Sequence, residues 1–421
     1  MLTVDLCYGI DVGTSGARAI AIDPSGMIQA EVRHPFPPAA ATQPQAWLTA
    51  LEALFQQTPV AIRQQLQAIA INGTSSTLLL CDATGNPVTA PLMYNDRRGA
   101  AGLPTLQAIA PADHVVLSAS SSLAKLLWWR DSGQCDRGQN LYLLHQADWL
   151  TYQLDGQLGH SDYHNALKLG YDVVALQYPD WLLALDLPVQ LPQVHTPGAV
   201  IGTIRGDRVA QWQLPPTCKI CAGTTDSIAA FWASGAQQPG EAVTSLGSTL
   251  VLKLLSKTPV NLATAGIYSH RWGDWWLVGG ASNTGGAVLQ ALFTPTELRE
   301  LSDRLDPTQP SPYAYYPLLQ PGERFPVNDP HLEPCLTPRP ADPAEFLHGL
   351  LDSMARIEQQ GYARLANQGA SPIQRVYTAG GGAQNQAWTA MRQRRLGVPV
   401  TRSPYTEAAY GTACLAQLGS G

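Results

Sequence analysis

Residues 8–26 read YGIDVGTSGARAIAIDPSG, and this stretch decides the fold. Apolar and β-branched residues fill positions 8–12 and 17–22, which predicts two strands joined by a hairpin loop of small polar residues at 13–16. The turn that follows predicts a third strand over residues 27–33. The chain is therefore predicted to open with an antiparallel three-stranded meander.

The loop of this first hairpin has the composition of a phosphate-binding loop. Glycine-rich loops that bind nucleotides in P-loop and Rossmann proteins open a helix, whereas this loop opens a strand. A loop of this kind binds phosphate through its backbone N–H groups and the hydroxyls of Thr14 and Ser15, with Asp11 beside them for a metal or a substrate hydroxyl. An ordinary surface hairpin has the same composition, so this stretch alone leaves both interpretations open.

A second hairpin of the same plan lies in the other half of the chain. Residues 243–256 read VTSLGSTLVLKLLS, in which Gly247, Ser248 and Thr249 separate two apolar runs. Repetition of a supersecondary unit indicates an internal duplication. The two hairpins therefore predict a duplicated domain that closes over one nucleotide.

Length and composition limit the classes of protein to consider. A chain of 421 residues predicts two domains of about 200 residues, and the Gly/Gln/Pro stretch after residue 235 places the boundary between domains 1–235 and 236–421. A net charge of −6 supplies no basic field for nucleic acid. The uncharged run at 275–296 is interrupted by glycines and asparagine, so no membrane span is expected. Residues 1–5 lack the basic segment of a secretory signal, and we expect a cytoplasmic protein.

The cysteines are odd in number and scattered. There are seven, and only Cys218 and Cys221 form a close pair. A zinc site would need a second pair or histidines that this neighbourhood does not offer. We therefore expect buried, reduced thiols, as in other cytosolic proteins.

One acidic residue is predicted at the start of a helix. Residues 221–235, CAGTTDSIAAFWASG, combine the end of a strand, two threonines and Asp226 before a helical run. The helix dipole keeps such a carboxylate ionised, which a base for a sugar hydroxyl requires. An aspartate that merely caps the helix occupies the same position, and the two roles can coexist.

Two polar segments of the first half are candidates for binding a polyol. Residues 73–76 place small hydroxyl groups, including Ser75, at the end of a strand predicted over 67–72, and ligands bind at such strand ends in open α/β sheets. Residues 93–98, MYNDRR, concentrate hydrogen-bonding groups, including Asp96, in one loop. A polar loop without a ligand and a solvated salt-bridge loop are the respective alternatives.

The second half contains two further glycine loops. Residues 278–286, VGGASNTGG, precede a predicted helix and include Gly285. Residues 380–382 form a triple glycine between a strand and a helix, with Asn385 in the first turn of that helix, an arrangement suited to an adenosine moiety. The final segment, residues 406–418, predicts a helix of small residues against which another backbone can pack closely.

Together these stretches resemble the FGGY carbohydrate kinases, a family that includes xylulokinases, ribulokinases and glycerol kinases. The resemblance covers nearly the whole chain. The motifs that carry it are GIDVGTSGAR, AINGTSSTLLLCDATGNPV, AGTTDSIAAFWASG, SLGSTLVL, PGERFPVNDP and AGGGAQNQAWTAMRQRRLGVPV. Several motifs in the family's order make the resemblance more specific than any single glycine pattern.

The resemblance implies an α/β fold of two actin-like (ribonuclease H-like) domains with a central cleft, the first domain binding sugar and the second binding ATP with Mg²⁺. Asp226 would be the general base, and Asp11 would contact the sugar or, directly or through water, the metal. The implied ATP contacts are Thr14, Ser15, Gly247, Ser248, Thr249, Gly285, Gly381, Gly382 and Asn385. The implied sugar contacts are Asp11, Ser75, Asp96 and Asp226.

The choice of substrate depends on a departure from the xylulokinase pattern. Where xylulokinases have Q-M-H-G, residues 72–75 read NGTS, so one histidine contact to xylulose is lost. The compact chain is similar to a xylulokinase-like branch associated with D-ribulose. We therefore expect phosphorylation of the terminal hydroxyl of D-ribulose, with D-xylulose second, by a monomer or homodimer. The rival hypothesis is a nucleotide-binding scaffold or sensor of the same fold.

Overall fold

The computed structural model describes residues 5–37, 40–135, 140–262 and 265–420. The chain forms two compact units, the first of Met1–Ala233 with Glu407–Gly421 and the second of Ser234–Thr406. The predicted boundary after Gly235 lies two residues beyond Ala233, but the C-terminal segment packs with the first unit, not the second. Residues 1–4, on which the expectation of a missing leader depends, lie outside the described residues.

Strands and helices alternate along the chain. The strands are β1 (Leu6–Val12), β2 (Gly16–Ile22), β3 (Ile28–Pro35), β4 (Leu66–Gly73), β5 (Leu78–Cys81), β6 (Tyr142–His145), β7 (His160–Asp162), β8 (Gln193–His195), β9 (Val200–Thr203), β10 (Lys219–Cys221), β11 (Thr224–Thr225), β12 (Glu241–Leu246), β13 (Leu250–Ser256), β14 (Tyr268–Trp272), β15 (Trp275–Ser282), β16 (Arg375–Ala379) and β17 (Val400–Arg402). The helices are α1 (Pro44–Gln57), α2 (Val60–Arg63), α3 (Leu103–Ile109), α4 (Ser122–Asp131), α5 (Gln146–Asp155), α6 (Tyr163–Ala166), α7 (Asp180–Leu183), α8 (Gly206–Trp212), α9 (Asp226–Ala233), α10 (Gly286–Leu292), α11 (Pro295–Ser302), α12 (Pro343–Asn367), α13 (Gln386–Leu396) and α14 (Ala408–Ser420).

The main sheet of the first unit confirms the predicted meander. Its strand order is β3-β2-β1-β4-β10-β9, with β11 also paired to β4. β1 and β2 pair antiparallel up to Val12 and Ala17, which closes the hairpin at the predicted loop. β3 pairs antiparallel with β2, and β4 runs parallel to β1. The third strand starts one residue later than predicted and ends at Pro35.

The sheet of the second unit repeats this topology. Its order is β14-β15-β13-β12-β16-β17. β12 pairs antiparallel with β13 and parallel with β16, and β13 pairs antiparallel with β15. Five strands correspond in order and direction, β3-β2-β1-β4-β10 in the first unit and β15-β13-β12-β16-β17 in the second. β14, which precedes β15 in the chain, is an additional edge strand of the second sheet. The predicted duplication is therefore confirmed at the level of topology.

Each unit has its own hydrophobic core. In the first unit, α1 packs on the sheet and Phe55 stacks on Trp212, with 4.1 Å between the ring centroids. In the second unit, the long helix α12 supplies much of the core, and it also buries Glu358 against Arg392 at 2.6 Å. Burial of one large apolar side chain contributes about 2–3 kcal/mol, so these helices hold the sheets rigidly.

The C-terminal helix packs closely against the first unit, as its small residues predicted. A Cβ on Gly9 of β1 would lie 2.1 Å from the carbonyl oxygen of Ala409 in α14. A Cβ on Gly411 would lie 1.8 Å from the carbonyl oxygen of Ala229 in α9. α14 therefore contacts both β1 and α9 almost backbone to backbone.

Most of the cysteines are buried, as expected. All seven cysteines lie among the described residues and are free, and five of them, including Cys218 and Cys221, are buried. Within the described ranges, no helix is both long enough and apolar enough to cross a membrane.

Candidate active site

Three neighbouring strands of the first unit end with polar side chains in one row. Asp11 of β1 pairs in register with Asn72 of β4, and Asn72 pairs in register with Thr224 of β11. On the other side of β1, Asp11 lies opposite Arg18 of β2. Arg18 also forms ion pairs with Glu31 and Glu407. The pairing of the strands therefore places Asp11 between Asn72, which has an amide, and Arg18, which has a guanidinium group, with the hydroxyl-bearing Thr224 one strand further.

Asp11 is the electrostatically unusual member of this row. Burial and, to a lesser extent, the negative charge of Asp226 raise its pKa to about 7, while Arg18 opposes the shift. Its Oδ1 atom is buried and has no hydrogen-bond partner among the described residues. Because buried polar atoms are normally paired, this oxygen is suited to a ligand hydroxyl or a cation.

Asp226 lies where the sequence predicts it. It is the first residue of α9, and its Oδ1 accepts a hydrogen bond from the backbone N–H of Ser227 at 2.6 Å. A carboxylate at this end of a helix is stabilised in its ionised form. The repulsion between Asp226 and Asp11 indicates that the two carboxylates lie near each other within the first unit.

The first predicted phosphate loop presents its hydroxyl groups outward. The backbone N–H of Gly13 donates to the carbonyl of Gly16 at 3.0 Å and closes the turn. Thr14 and Ser15 are exposed. A Cβ on Gly13 would meet no atom closer than 3.7 Å, so a ligand has free access to this backbone.

The second predicted phosphate loop is braced by a glycine pair. Ser248 is exposed, while the N–H groups of Gly286 and Ala287 donate to the carbonyls of Gly247 and Ser248 at 2.8 and 3.1 Å. A Cβ on Gly285 would lie 2.7 Å from the backbone of Thr249. Gly285, predicted as an ATP contact, thus has a packing reason to be glycine, because it lets α10 approach this loop.

The glycine loop before α10 is held by a residue that we did not single out, Glu323. Its Oε2 accepts from the hydroxyl of Ser282 at 2.5 Å, and its Oε1 accepts from the backbone N–H of Asn283 at 2.7 Å. Glu323 is only 2% exposed. Glu323 lies in the PGERFPVNDP motif, which indicated that this segment has a function. The sequence spacing did not predict its partners, Ser282 and Asn283.

The residues predicted for adenosine differ in their surroundings. A Cβ on Gly381 would meet nothing within 4 Å, whereas a Cβ on Gly382 would lie 2.7 Å from Leu246 and from Trp388. Asn385 caps α13 by accepting from the N–H of Trp388 at 2.9 Å, and it donates to Ser302 at 2.8 Å. Gly381 is therefore open to a ligand, Gly382 is required by packing, and the amide of Asn385 is engaged within its own unit.

The two predicted sugar residues outside the carboxylate pair also differ. Ser75 is partly exposed in the loop after β4. Both carboxylate oxygens of Asp96 accept from Arg98, at 2.6–3.1 Å, and this pairing lowers the pKa of Asp96. The guanidinium of Arg98 lies over the ring of Trp128, 4.6 Å from its centroid. The salt-bridge interpretation of this loop is therefore present in the structure.

Several polar atoms near the end of β4 have no partner among the described residues, and of the residues that carry them only Gln146 lies outside the segments identified from the sequence. Asn72 Oδ1, Ser76 Oγ, Gln146 Nε2 and Thr225 Oγ1 are buried and unpaired among the described residues. Gln146 lies beside this strand end because its Oε1 accepts from the backbone N–H and the hydroxyl of Thr74, both at 2.9 Å. That bond fixes the orientation of the amide, so Nε2 is a free donor. Only the sheet topology brings these distant positions together.

Five strands of corresponding order and one hydroxyl-bearing hairpin loop recur in both units, as a duplicated domain requires. The model of the N-terminal domain of the FGGY family of carbohydrate kinases matches residues 6–232, and the model of its C-terminal domain matches residues 242–419. The chain therefore belongs to the FGGY family of carbohydrate kinases.

Relatives and solved structures agree with this assignment. The chain is 28% identical to a xylulose kinase of Streptomyces coelicolor over 94% of this chain and 84% of the relative. It is 25% identical to a glycerol kinase of Bordetella parapertussis over 100% of this chain and 90% of the relative. A structure titled xyloylose kinase from Brucella ovis has a TM-score of 0.84 at 23% identity and covers 99% of this chain and 90% of its own. These matches confirm the predicted α/β fold of two actin-like, ribonuclease H-like domains.

Proposed function

We propose that this sugar kinase transfers the γ-phosphate of ATP to the terminal hydroxyl of a ketopentose, and that the ketopentose is D-ribulose. The observation that carries the proposal is the pair of nearby carboxylates, Asp11 and Asp226, beside unpaired buried amide and hydroxyl groups at the strand ends. Hydroxyls of a polyol match such groups because each can both donate and accept a hydrogen bond.

Asp226 is assigned the role of general base. Its position at the first residue of α9 favours the ionised form that a base requires. The sugar hydroxyl donates its proton to this carboxylate as its oxygen bonds to the γ-phosphorus, and the bond to the β-phosphate oxygen breaks to release ADP. The main contributions of the protein are positioning and charge neutralisation.

Asp11 is suited to a magnesium ion. An unpaired, buried carboxylate oxygen is a ligand that Mg²⁺ prefers, and a cation would remove the repulsion that raises the pKa of Asp11. Mg²⁺ bound with ATP neutralises charge on the phosphate that is transferred. The contact is either direct or through a water molecule.

The ATP contacts are assigned to the two hairpin loops and the open glycine. Exposed hydroxyls at Thr14, Ser15 and Ser248 and the bare backbone at Gly381 support direct contact. Thr249, Gly247 and Asn385 are proposed as further contacts. Gly285 and Gly382 support the same loops through packing, since neither position has space for a Cβ.

The choice of D-ribulose rests on the segment at 72–75. Where a xylulokinase-type signature has a histidine, this segment has the unpaired Oδ1 of Asn72 and the partly exposed hydroxyl of Ser75. The relatives named xylulose kinase and glycerol kinase support a small polyol acceptor in general and keep D-xylulose as the second candidate.

A coupled assay of ADP release tests this choice. We expect turnover with D-ribulose to exceed that with D-xylulose, ribitol and glycerol, compared as kcat/KM at saturating ATP. A higher value for D-xylulose would replace the substrate and keep the enzyme class. No stimulation by any of the four, together with retained ADP binding in calorimetry, would favour a nucleotide-binding scaffold instead.

A further inference from the structure

A lysine is completely buried beside the proposed sugar site. Lys125 of α4 is 0% exposed, and its ammonium donates to the carbonyl oxygens of Ser76 at 2.9 Å and Met93 at 2.7 Å. Burial lowers the pKa of Lys125 to about 8, while the charge of Asp96 opposes that shift. A charged lysine is seldom buried unless its interactions compensate the loss of water.

The two carbonyls belong to the two loops that carry the predicted sugar contacts. Ser76 follows Ser75 in the loop after β4, and Met93 precedes the loop of Asp96. Lys125 is thus a single point of attachment for both segments. Both bonds form at once only when the two loops lie within reach of the same nitrogen.

The backbone at Ser76 needs such an attachment. Its φ angle is +64°, in the left-handed region that residues other than glycine seldom adopt. Conformations of this kind persist only where surrounding contacts hold them, and they concentrate at ligand sites. The bond from Lys125 to the carbonyl of Ser76 is such a contact, and the Oγ of Ser76 is buried without a partner.

α4 contacts the second loop at further points. Trp128, three residues after Lys125, lies under the guanidinium that binds Asp96. A Cβ on Gly99 would lie 2.8 Å from the backbone of Ala124. The loop therefore lies flat on this helix, and Lys125 ties it to the loop after β4.

We infer that Lys125 is a positioning residue for the acceptor sugar: its ammonium fixes the backbones at Ser76 and Met93, so that the groups beside them meet the substrate in one arrangement. The inference rests on the proposed function. It predicts a specific kinetic signature, because the sugar contacts depend on Lys125 whereas the nucleotide contacts do not.

Lys125→Met, which keeps the length of the side chain and removes its donors, is the test. We expect the KM for the sugar to rise about tenfold, because this ratio corresponds to the loss of one charge-assisted hydrogen bond. The KM for ATP and the kcat at saturating sugar should each change by less than about twofold. Arg130→Met is the matched control, because it removes a cation from the last turn of the same helix. An unchanged sugar KM in Lys125→Met, or an equal rise in the control, would overturn the inference.

A second substitution separates positioning from general damage. Lys125→Gln keeps one donor group, so it should raise the sugar KM less than Lys125→Met does. An equal rise in both variants would count against a role for the bonds of this side chain in positioning. If Lys125→Met does not fold, Lys125→Gln is compared with the wild type and with Arg130→Met in the same assay, where a sugar KM equal to that of the control would overturn the inference.

Failure of the proposed function would look different. If the wild-type chain phosphorylates none of the sugars, hydrogen exchange still reports on positioning. Residues 74–77 and 93–97 should then exchange faster in Lys125→Met than in the wild type and in Arg130→Met. Equal rates in all three proteins would overturn the inference independently of any activity.

Discussion

Two aspartates of the first unit, Asp11 and Asp162, have similarly raised pKa values but different hydrogen-bond partners. The partners, more than the pKa, indicate which of the two is available to a ligand. Burial raises the pKa of both Asp11 and Asp162 to about 7. Asp162 caps α6 by accepting from the N–H groups of His164 and Asn165, and it also accepts from the side-chain amide of Asn165. Asp11 instead leaves one buried oxygen unpaired. Asp162 is therefore structural, and Asp11 is available to a ligand.

The structural role of Asp162 makes a prediction about pH. Its folded-state pKa is raised from 3.8 to about 7, so the unfolded chain releases this proton at lower pH than the folded one. Its contribution to stability is therefore full below about pH 4 and is lost as pH rises through about 7. Between pH 5 and pH 8, the free energy of unfolding of the wild type should therefore fall by about 2 kcal/mol more than that of Asp162→Asn. Urea titrations of both proteins at the two pH values measure this difference.

Asp207→Asn is the control for that measurement. Asp207 is exposed and pairs with Arg205, which lowers its pKa, so its ionisation is complete across this range. The control should therefore keep the wild-type dependence between pH 5 and pH 8. An Asp162→Asn protein with the same dependence as the wild type would contradict the raised pKa.

At the scale of elements, the C-terminal helix α14 fixes the strand that carries Asp11 and the helix that begins with Asp226. Thr412 of α14 accepts a hydrogen bond from the side-chain amide of Asn72 at 2.7 Å, which ties the helix to β4 as well. The close approach at Gly9 and Gly411 leaves no space for a side chain. The carboxylate pair thus depends on packing contributed by the last residues of the chain.

Substitution of Gly411 by alanine tests that packing. Alanine is favoured over glycine within a helix by about 1 kcal/mol, but its Cβ would lie 1.8 Å from a backbone oxygen. We expect Gly411→Ala to lower the free energy of unfolding by about 3 kcal/mol in chemical denaturation. Gly206→Ala, at the start of α8 where a Cβ meets nothing within 4 Å, is the matched control and should be neutral or stabilising. A neutral Gly411→Ala would contradict the close packing of α14.

Elements with strong local patterns were predictable, and those set by distant packing were not. The two hairpins, the start of α9 at Asp226 and the break between α1 and α2 at Pro59 follow from turn, capping and proline chemistry within a few residues. The small residues of α14 predicted close packing but not the unit against which it packs. β5 pairs with β6 in a separate two-stranded sheet, and nothing in its four residues specifies that partner.

The candidate site was predictable to a similar extent. Asp11, Asp226 and the loop hydroxyls stand in motifs whose chemistry is local. Lys125 and Gln146 act through bonds to segments 49 and 72 residues away, so no spacing in the sequence reveals them. For Gly285 and Gly382, the glycine pattern was recognised, but the packing reason for it needed coordinates.

At the scale of the whole molecule, duplication of one topology explains how the chain acquires two loops of the same design. Each unit places its hairpin loop between the first two strands of its sheet, within the five strands that correspond between the units. The units have since diverged in what surrounds that loop: the first has Asp11 and Asp226, and the second has Glu323 and the open glycine at 381. The proposed general base is therefore a residue of the first unit only.

The replacement of Asp226 by asparagine, which keeps the shape of the side chain and removes its basicity, tests the central claim most directly. In the coupled assay with D-ribulose, Asp226→Asn should lower kcat by about a thousandfold, a typical effect of losing a general base, while calorimetry finds ADP and sugar binding within a few-fold of the wild type. A variant with near-normal turnover would contradict the assignment of Asp226 as the base.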